Sequence, residues 1–389
     1  MINVFEPALG EAELAAVREV FATGWVGRGR RAEAFERAFA AHLGVGAEHV
    51  TSMNSCTEAT FLAMELAGVG PGSEVVLPTV SFVGAANAVA ARGARPVFCD
   101  VDRRTLNPTL ADIEAAVTPA TRAVLLLHYG GYPGDVALIA AACRERGILL
   151  VEDSACSVAS RVDGQACGTF GDMGVWSFDH GKIVVTVDGG MFYARDPEVA
   201  AEATKRAYFG LEQISGYAQA QRQATRWWEF EVSSFSRRSI MNDVTASIGL
   251  VQLDRLAGFL SRRQEVAAHY DRELADEPGV LVPPPLPPGH ETSHYFYWIQ
   301  LDPGIRDLVA RDLYEAGVYT TFRYPLLHQV RAYGSDADLP RAQWAAASTL
   351  CLPMHHGLSD TDVERTVTAL RESVRDRLRV PTTAHSGRS

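Results

Sequence analysis

Apolar residues recur along the chain with two different patterns, and each pattern predicts a different kind of element. Near the N-terminus, Leu14, Val17 and Phe21 lie three or four residues apart, which predicts an amphipathic helix over 11–22. A similar spacing predicts a helix over 31–43. Further on, apolar runs at 74–78, 95–102, 122–128 and 147–153 alternate with helical segments at 57–68, 83–92 and 134–146. Continuous apolar strands that alternate with helices indicate an α/β fold with a mostly parallel sheet covered on both faces.

The pattern changes near residue 250, which indicates a second domain. A long helical stretch runs from 240 to 275, and a Pro-rich linker follows over 282–290. A strand, a helix and a second strand are then predicted, at 293–301, 305–317 and 318–325, and a final helix over 360–378. We therefore expect a large domain over 1–250, a smaller α+β domain over 251–380 and a disordered tail over 381–389.

Composition and charge limit the possible function classes. The 389 residues, 47% of them hydrophobic, can bury a large core, and the net charge of −11 with scattered basic residues argues against a nucleic-acid surface. The six cysteines include no Cys-x-x-Cys pair, which favours free thiols in a reducing compartment. The sequence shows no signal-peptide pattern and no apolar run of membrane-spanning length. We therefore expect a cytoplasmic protein without a metal, a nucleic-acid partner or a membrane partner.

Candidate chemistry lies where the predicted strands end, because mostly parallel sheets bind ligands at the carboxyl ends of their strands. Asp153 ends one strand. Lys182 follows a later strand within WSFDHGKIVV (176–185), where an ammonium among apolar residues is costly unless its amine is used. Cys56 and Thr57 open a helix in a polar turn that suits a phosphate. Phe82, in a strand-end loop, is placed to stack on a flat ligand.

This combination of side chains matches the requirements of pyridoxal phosphate, for which a lysine forms a Schiff base and an acid keeps the pyridine nitrogen protonated. Taken singly, the same residues fit ordinary roles as a helix cap, a core aromatic, a structural acid and a surface lysine. Residue types and spacing alone therefore indicate only an α/β enzyme that binds a nucleotide or a cofactor. A dinucleotide dehydrogenase is disfavoured because no Gly-x-Gly-x-x-Gly turn follows the first strand.

Several motifs follow one another in order along most of the chain. They are NSCTEAT (54–60), GPGSEVVLPTVSFVGAANAV (70–89), GARPVFCDVD (93–102), HYGGYPGD (128–135), VEDSA (151–155), SFDHGK…DGG (177–190), MNDVTASIGLVQL (241–253) and YTTFRYPLLH (319–328). This series resembles the DegT/DnrJ/EryC1/StrS family of sugar aminotransferases, within fold type I of the pyridoxal-phosphate enzymes. The resemblance implies a large domain with a mostly parallel mixed sheet flanked by helices, and a smaller α+β C-terminal domain.

The resemblance also implies roles around the cofactor. Lys182 corresponds to the Schiff-base lysine and Asp153 to the partner of the pyridine nitrogen, so both are implied to be catalytic. Cys156 stands where the family usually has Gln or His, and Arg238 where Asn or Lys reaches the phosphate of the neighbouring subunit, which implies a homodimer with shared active sites. The other implied cofactor-binding residues are the stacking Phe82 and the phosphate-holding Cys56, Thr57 and Ser177.

For the reaction, the resemblance implies that an amino group passes from L-glutamate, through pyridoxamine 5'-phosphate, to a keto sugar linked to a nucleotide diphosphate. The YTTFRYP form (319–325) is more similar to the subgroup that acts at C4 of dTDP-4-keto-6-deoxyhexoses than to the C3 enzymes. The implied pathway is amino-deoxysugar biosynthesis. The implied substrate-binding residues are Trp25, Arg28 and Arg30, with Arg31 in the same basic turn, and Tyr324 and His328.

Alternatives stay open beside this interpretation. They are a C3 aminotransferase, a sugar dehydratase of the same fold and a catalytically idle family member, and a solvated loop is an equal alternative for the basic turn. Lys182 counts against the dehydratase, which resembles this chain with His at that position, and Lys182 with Asp153 counts against an idle protein. We also expect desolvation to lower the pKa of the released Lys182 amine, so that it can carry a proton.

Overall fold

A computed structural model describes residues 1–212, 226 and 228–379. The helices in these residues are α1 (Glu11–Thr23), α2 (Arg30–Leu43), α3 (Cys56–Leu66), α4 (Val83–Ala90), α5 (Leu110–Ala116), α6 (Val136–Arg146), α7 (Pro197–Arg206), α8 (Asp243–Asp254), α9 (Leu256–Leu274), α10 (Pro303–Glu315), α11 (Pro340–Ser348) and α12 (Asp360–Arg379). The strands are β1 (Val50–Met53), β2 (Glu74–Pro78), β3 (Arg95–Cys99), β4 (Thr121–Leu127), β5 (Leu149–Asp153), β6 (Arg161–Val162), β7 (Gln165–Ala166), β8 (Met173–Ser177), β9 (Gly190–Ala194), β10 (His290–Glu291), β11 (Tyr297–Gln300) and β12 (Thr349–Leu352).

Seven of the described strands form one large sheet in the order β1-β9-β8-β5-β4-β2-β3. β3, β2, β4, β5 and β8 run parallel, and β9 runs antiparallel to its neighbours β8 and β1. Side chains of β2 alternate between two separate apolar clusters, with Val75 and Leu77 in one and Val76 in the other. Both faces of the strand are therefore covered, which explains its continuous apolar sequence. The predicted mostly parallel mixed sheet flanked by helices is confirmed.

A smaller antiparallel sheet, in which β11 pairs with β12, lies in the C-terminal part of the chain. Its apolar cluster includes Tyr270, Leu313 and Leu370, from α9, α10 and α12. The N-terminal Ile2 packs in the same cluster and bridges Val318. The first residues of the chain therefore pack with the C-terminal part, and the domain boundary at 250 stays a prediction.

One prediction about the C-terminal part is wrong. The segment 318–325 is not a sheet strand, because it forms isolated bridges and leads to Leu326, which bridges Val80 beyond β2 of the large sheet. It connects the two sheets, and the partner of β11 is the later segment 349–352. The helical stretch predicted from 240 to 275 is confirmed, and it consists of two helices, α8 and α9, which meet at Arg255. Apolar periodicity detected the elements, but it did not give their pairing partners or this break.

Within the described ranges, no helix is both long enough and apolar enough to cross a membrane. The predicted disordered tail, 381–389, lies outside the described residues.

Candidate active site

Side chains predicted from the sequence lie together at the carboxyl edge of the large sheet. Asp153 is the last residue of β5 and pairs in register with Val175 of the parallel strand β8, which ends at Ser177. Lys182 follows β8 in a turn held by a hydrogen bond from its backbone N–H to the Asp179 carbonyl, 2.9 Å long. Because β5 and β8 are parallel neighbours, the acid and the lysine turn lie at the same edge of the sheet.

Lys182 is half-buried, and its amine lies 4.7 Å from the centre of the Tyr295 ring. Lys205, the only other lysine of the chain, pairs with a glutamate at 2.8 Å, whereas Lys182 forms no ion pair with a carboxylate of the described residues. Burial opposes the charged form, but Tyr295, Cys156 and Asp153 outweigh it and raise the pKa of Lys182 above its ordinary value. The predicted lowering of this pKa is therefore wrong, because the neighbouring groups favour the charge more than burial opposes it.

Asp153 is a buried residue, 5% exposed. Oδ1 accepts a hydrogen bond of 3.0 Å from the backbone N–H of Ala155. Burial raises the pKa of Asp153, and the Ala155 N–H, Lys182 and His128 oppose this effect. A cationic group beside this carboxyl would stabilise its ionised form and would itself be held in the charged state. The site therefore suits a protonated ring nitrogen.

The start of α3 provides backbone donors near these side chains. Cys56 and Thr57 are the first two residues of the helix, and the Ser55 hydroxyl caps it by accepting a 3.1 Å hydrogen bond from the N–H of Glu58. The N–H groups of Cys56 and Thr57 have no acceptor among the described residues, as in the first turn of any helix. Gly190 of β9 allows a close approach, because a Cβ there would lie 2.6 Å from the Cys56 nitrogen. Free N–H groups and the helix dipole favour an anion such as a phosphate here.

An exposed aromatic ring lies beside buried polar groups at this edge. The Phe82 side chain is 47% exposed, and its ring meets Tyr324 edge-on at 5.7 Å between centroids. The Tyr324 hydroxyl lies 3.8 Å from Sγ of Cys156. Burial raises the pKa of Cys156 to about 11, so the thiol is protonated at neutral pH. A flat ligand can stack on Phe82 and meet both buried groups.

The basic turn is held by contacts within the chain. Both Nη atoms of Arg28 donate to Glu36, at 2.7 and 2.9 Å, and the side chains are 12% and 9% exposed. The Trp25 indole N–H donates to the Arg28 carbonyl at 2.9 Å, and Arg31 pairs with an exposed glutamate of α1. Arg30 is exposed at the start of α2. The Arg28 guanidinium therefore belongs to a buried ion pair, and sugar binding by this turn stays a prediction.

His328 and Arg238 lie in different surroundings. Nδ1 of His328 lies 2.7 Å from the hydroxyl of Thr79, just beyond β2, and Nε2 is buried without a partner in the described part of the chain. Arg238 is exposed, and its segment bridges Tyr208 after α7. The fold thus brings His328 to the strand ends and leaves Arg238 on the surface. Both proposed roles stay predictions.

Sequence reasoning missed the aromatic residues around the lysine. Tyr295 contacts the Lys182 amine, Phe5 stacks on Tyr295 with 5.5 Å between centroids, and the Arg323 guanidinium lies 4.8 Å from the centre of the Phe5 ring. The aromatic run SHYFYW (293–298) is the only signal in the sequence, and it is equally typical of a buried strand. These contacts join residues that are far apart along the chain.

Comparison with known proteins identifies the family. The sequence profile of the DegT/DnrJ/EryC1/StrS aminotransferase family matches residues 7–371. This chain belongs to that family. It is 56% identical, over 96% of its length and 97% of the relative, to the dTDP-4-dehydro-2,3,6-trideoxy-D-glucose 4-aminotransferase of Saccharopolyspora spinosa. It is 34% identical, over 95% of its length and 96% of the relative, to the spore coat polysaccharide biosynthesis protein SpsC of Bacillus subtilis.

A solved structure of an aminotransferase agrees with this assignment. The aminotransferase TlmJ from Streptoalloteichus hindustanus is 61% identical and superposes with a TM-score of 0.93, covering 97% of this chain and 100% of TlmJ. The predicted family, the predicted fold class and the prediction of a sugar aminotransferase are confirmed. The roles of individual residues stay predictions.

Proposed function

We propose that the chain transfers the amino group of L-glutamate to C4 of a dTDP-linked 4-keto-6-deoxyhexose, with pyridoxal phosphate as cofactor. The observation that carries this proposal is the 56% identity, over nearly the full length, to a dTDP-4-dehydro-2,3,6-trideoxy-D-glucose 4-aminotransferase. The name of that relative includes a 4-keto group and a 6-deoxy position, the two features of the proposed substrate class. The corresponding pathway is amino-deoxysugar biosynthesis, including that of glycosylated antibiotics.

The described residues fit pyridoxal phosphate. Lys182 would hold it through the amine, Asp153 would pair with its ring nitrogen, and the start of α3 at Cys56 and Thr57 would bind its phosphate together with Ser177. Phe82 would stack on the ring. The fit rests on a buried acid that needs a cation, an amine without an ion pair and two backbone N–H groups without acceptors. When bound, the cofactor supplies a carbonyl that takes up the amino group and a conjugated ring that accepts the electron pair left by the α-proton.

Two groups of the chain handle the protons. Nζ of Lys182, once neutral, accepts the proton from the α-carbon of glutamate and delivers a proton to C4 of the sugar in the second half-reaction. The carboxylate of Asp153 stabilises a positive charge at the nitrogen beside it and so keeps a proton there. Because the pKa of Lys182 is raised, the loss of its charge is a required step before it acts as a base.

A second copy of the chain is part of this proposal. Phe209, Phe230, Val232 and Phe235 are exposed on the segment after α7, and a cavity of about 560 Å³ borders three of them. Exposed apolar side chains clustered in this way mark an interaction surface. We infer that a second subunit covers them and that Arg238, on the same segment, reaches the cofactor phosphate of that subunit.

We also propose a cytoplasmic location. All six cysteines lie in the described ranges as free thiols, and five of them are buried. Free buried thiols support folding in a reducing compartment.

The test is a reaction of the purified chain with L-glutamate and dTDP-4-keto-6-deoxyglucose, with the product analysed by NMR. We expect an amino group at C4, no product from Lys182→Ala, and wild-type activity from the matched control Lys205→Ala. Borohydride treatment with pyridoxal phosphate should attach a pyridoxyl group to Lys182 and leave Lys205 unmodified. Amination at C3 would favour the C3 enzymes, loss of a sugar hydroxyl would favour a dehydratase, and either result would contradict the proposal.

A further inference from the structure

We propose that Tyr295 is a positioning residue for Lys182, whose ring holds the lysine amine at the strand ends and favours its charged form. This inference rests on the proposed function, because it concerns the amine that would carry the cofactor. Lys182 comes from the turn after β8 of the large sheet, whereas Tyr295 precedes β11 of the small antiparallel sheet, so the contact joins segments next to these two sheets.

The position of the Tyr295 ring is fixed by its surroundings. The residue is 1% exposed, and its backbone N–H donates to the Gly130 carbonyl at 3.0 Å. Its ring stacks on Phe5 at 5.5 Å with 17° between the planes and contacts Phe296 at 4.5 Å between centroids. A buried ring held by backbone and aromatic contacts cannot swing away without disrupting the core. The distance from the ring to Lys182 is therefore a property of the fold.

The contact with the ring has a definite electrostatic consequence. An ammonium 4.7 Å from the centre of a tyrosine ring lies within the range of a cation–π interaction, which favours the charged amine. The hydroxyl of the same residue adds a second effect: it is hydrogen-bonded to Lys182, and the Coulombic effect of this group is the largest that raises the pKa of Lys182 against burial.

Other titratable or charged groups face this pair from several elements, and their contributions must be separated from that of the ring. Those that act on Lys182 are Asp153 of β5, Cys156 of the following loop and Cys56 of α3. Those that act on Tyr295 include Cys156 and Arg323, and an Nη atom of Arg263 in α9 lies 3.4 Å from the Tyr295 carbonyl. The Tyr295 hydroxyl also acts on Lys182, and Tyr295→Phe separates its contribution from that of the ring. The other groups lie on other residues, so a substitution at 295 leaves them in place.

For the proposed reaction, the ring determines how readily the amine becomes a nucleophile. Only a neutral amine attacks a carbonyl or accepts a proton, and a favoured ammonium lowers the neutral fraction at a given pH. Tyr295 would thus keep Lys182 in place and charged until a ligand changes its surroundings. Loss of the ring should make the free amine more reactive, which is opposite to the loss of reactivity expected from general damage to the site.

The experiment measures the amine in the full-length chain after removal of cofactor by hydroxylamine and dialysis. Competitive acetylation with limiting acetic anhydride is followed by mass spectrometry, and the ratio of Lys182 to Lys205 labelling is recorded from pH 7 to 10. Because the chain has only these two lysines, Lys205 is an internal reference in every sample. The variants are Tyr295→Leu, which removes the ring, Tyr295→Phe, which keeps it, and the control Phe296→Leu, which removes a neighbouring ring that does not contact the amine.

We expect Tyr295→Leu to increase the labelling ratio by about 2- to 30-fold at a fixed pH near 8, from the usual range of cation–π interactions. Tyr295→Phe keeps the ring and loses only the hydroxyl, so its increase should be smaller than that of Tyr295→Leu, and Phe296→Leu should stay close to wild type. Equal increases in Tyr295→Leu and Phe296→Leu, or in Tyr295→Leu and Tyr295→Phe, would overturn the assignment to the ring. So would an unchanged ratio in Tyr295→Leu.

Two checks separate this result from other effects. A larger acylating ester should give the same increase in Lys182 labelling. A change in the access of the reagent to the amine would depend on reagent size, whereas a change in the charge of the amine would not. An increase that depends on reagent size would therefore also overturn the inference. The labelling uses no cofactor, so it can succeed while the borohydride test of Lys182 fails, and the converse also holds. If circular dichroism shows that Tyr295→Leu does not fold, Tyr295→Ile takes its place and must give the same increase. An unchanged labelling ratio in Tyr295→Ile overturns the inference.

Discussion

Replacement of Arg28 by alanine separates two roles for the basic turn. The family resemblance implies that Arg28 binds the substrate, whereas the structure shows its guanidinium paired with Glu36 of α2. The same carboxylate accepts hydrogen bonds from the backbone N–H and the hydroxyl of Ser52, at 2.7 and 2.8 Å. We predict that Arg28→Ala lowers the stability of the fold.

The size of the effect follows from the burial of the pair. With side chains 12% and 9% exposed, Arg28 and Glu36 are largely removed from water, and loss of one partner from such a pair costs about 3–5 kcal/mol. In Arg28→Ala the unpaired Glu36 carboxylate keeps its two hydrogen bonds from Ser52. We therefore expect a loss of about 3 kcal/mol in the free energy of unfolding, at the lower end of that range. The matched control is Arg30→Ala, an exposed arginine of the same turn, for which we expect a change within about 0.5 kcal/mol.

The assay is urea unfolding of the cofactor-free protein at one fixed concentration, because bound ligands and subunit association both add to apparent stability. The double variant Arg28→Met/Glu36→Gln should recover most of the loss, since it removes both charges. If Arg28→Ala left the free energy of unfolding unchanged and raised the KM for the sugar nucleotide, this reasoning would be refuted and a role for Arg28 in substrate binding would be favoured.

Three further predictions concern the candidate site. Asp153→Asn should lower the rate of glutamate half-transamination by about 100-fold or more, measured by stopped-flow absorbance, because an amide cannot hold the positive charge beside it, and a normal rate would contradict the assignment. Gly190→Ala should weaken retention of pyridoxal phosphate on dialysis, because the new Cβ would lie 2.6 Å from the Cys56 nitrogen, and unchanged retention would argue against this phosphate seat. When Lys182→Ala and Arg238→Ala subunits are mixed in equal amounts, half of the dimers should contain one subunit of each kind, and each such dimer should have one site with both residues intact. The mixture should therefore regain about a quarter of wild-type activity, and activity equal to the mean of the two single variants would exclude shared sites.

The sequence by itself determined the local elements and the order of the chemistry. The apolar runs at 74–78 and 147–153 correctly predicted strands, observed at 74–78 and 149–153, because a strand that is buried on both faces has apolar residues at successive positions. Asp153 and Lys182 could be predicted as neighbours because each follows the end of a strand in a mostly parallel sheet. The series of motifs added the family and the reaction.

The tertiary structure decided what depends on groups distant in sequence. It showed that 349–352 pairs with β11, that 318–325 forms isolated bridges instead of a strand, and that Arg28 is paired with Glu36. It also reversed the expected pKa shift of Lys182, since burial acts against charge while Tyr295 and Asp153 act for it. Local patterns record which residues are buried, but strand pairing and the balance of charges depend on neighbours that only the folded chain brings together.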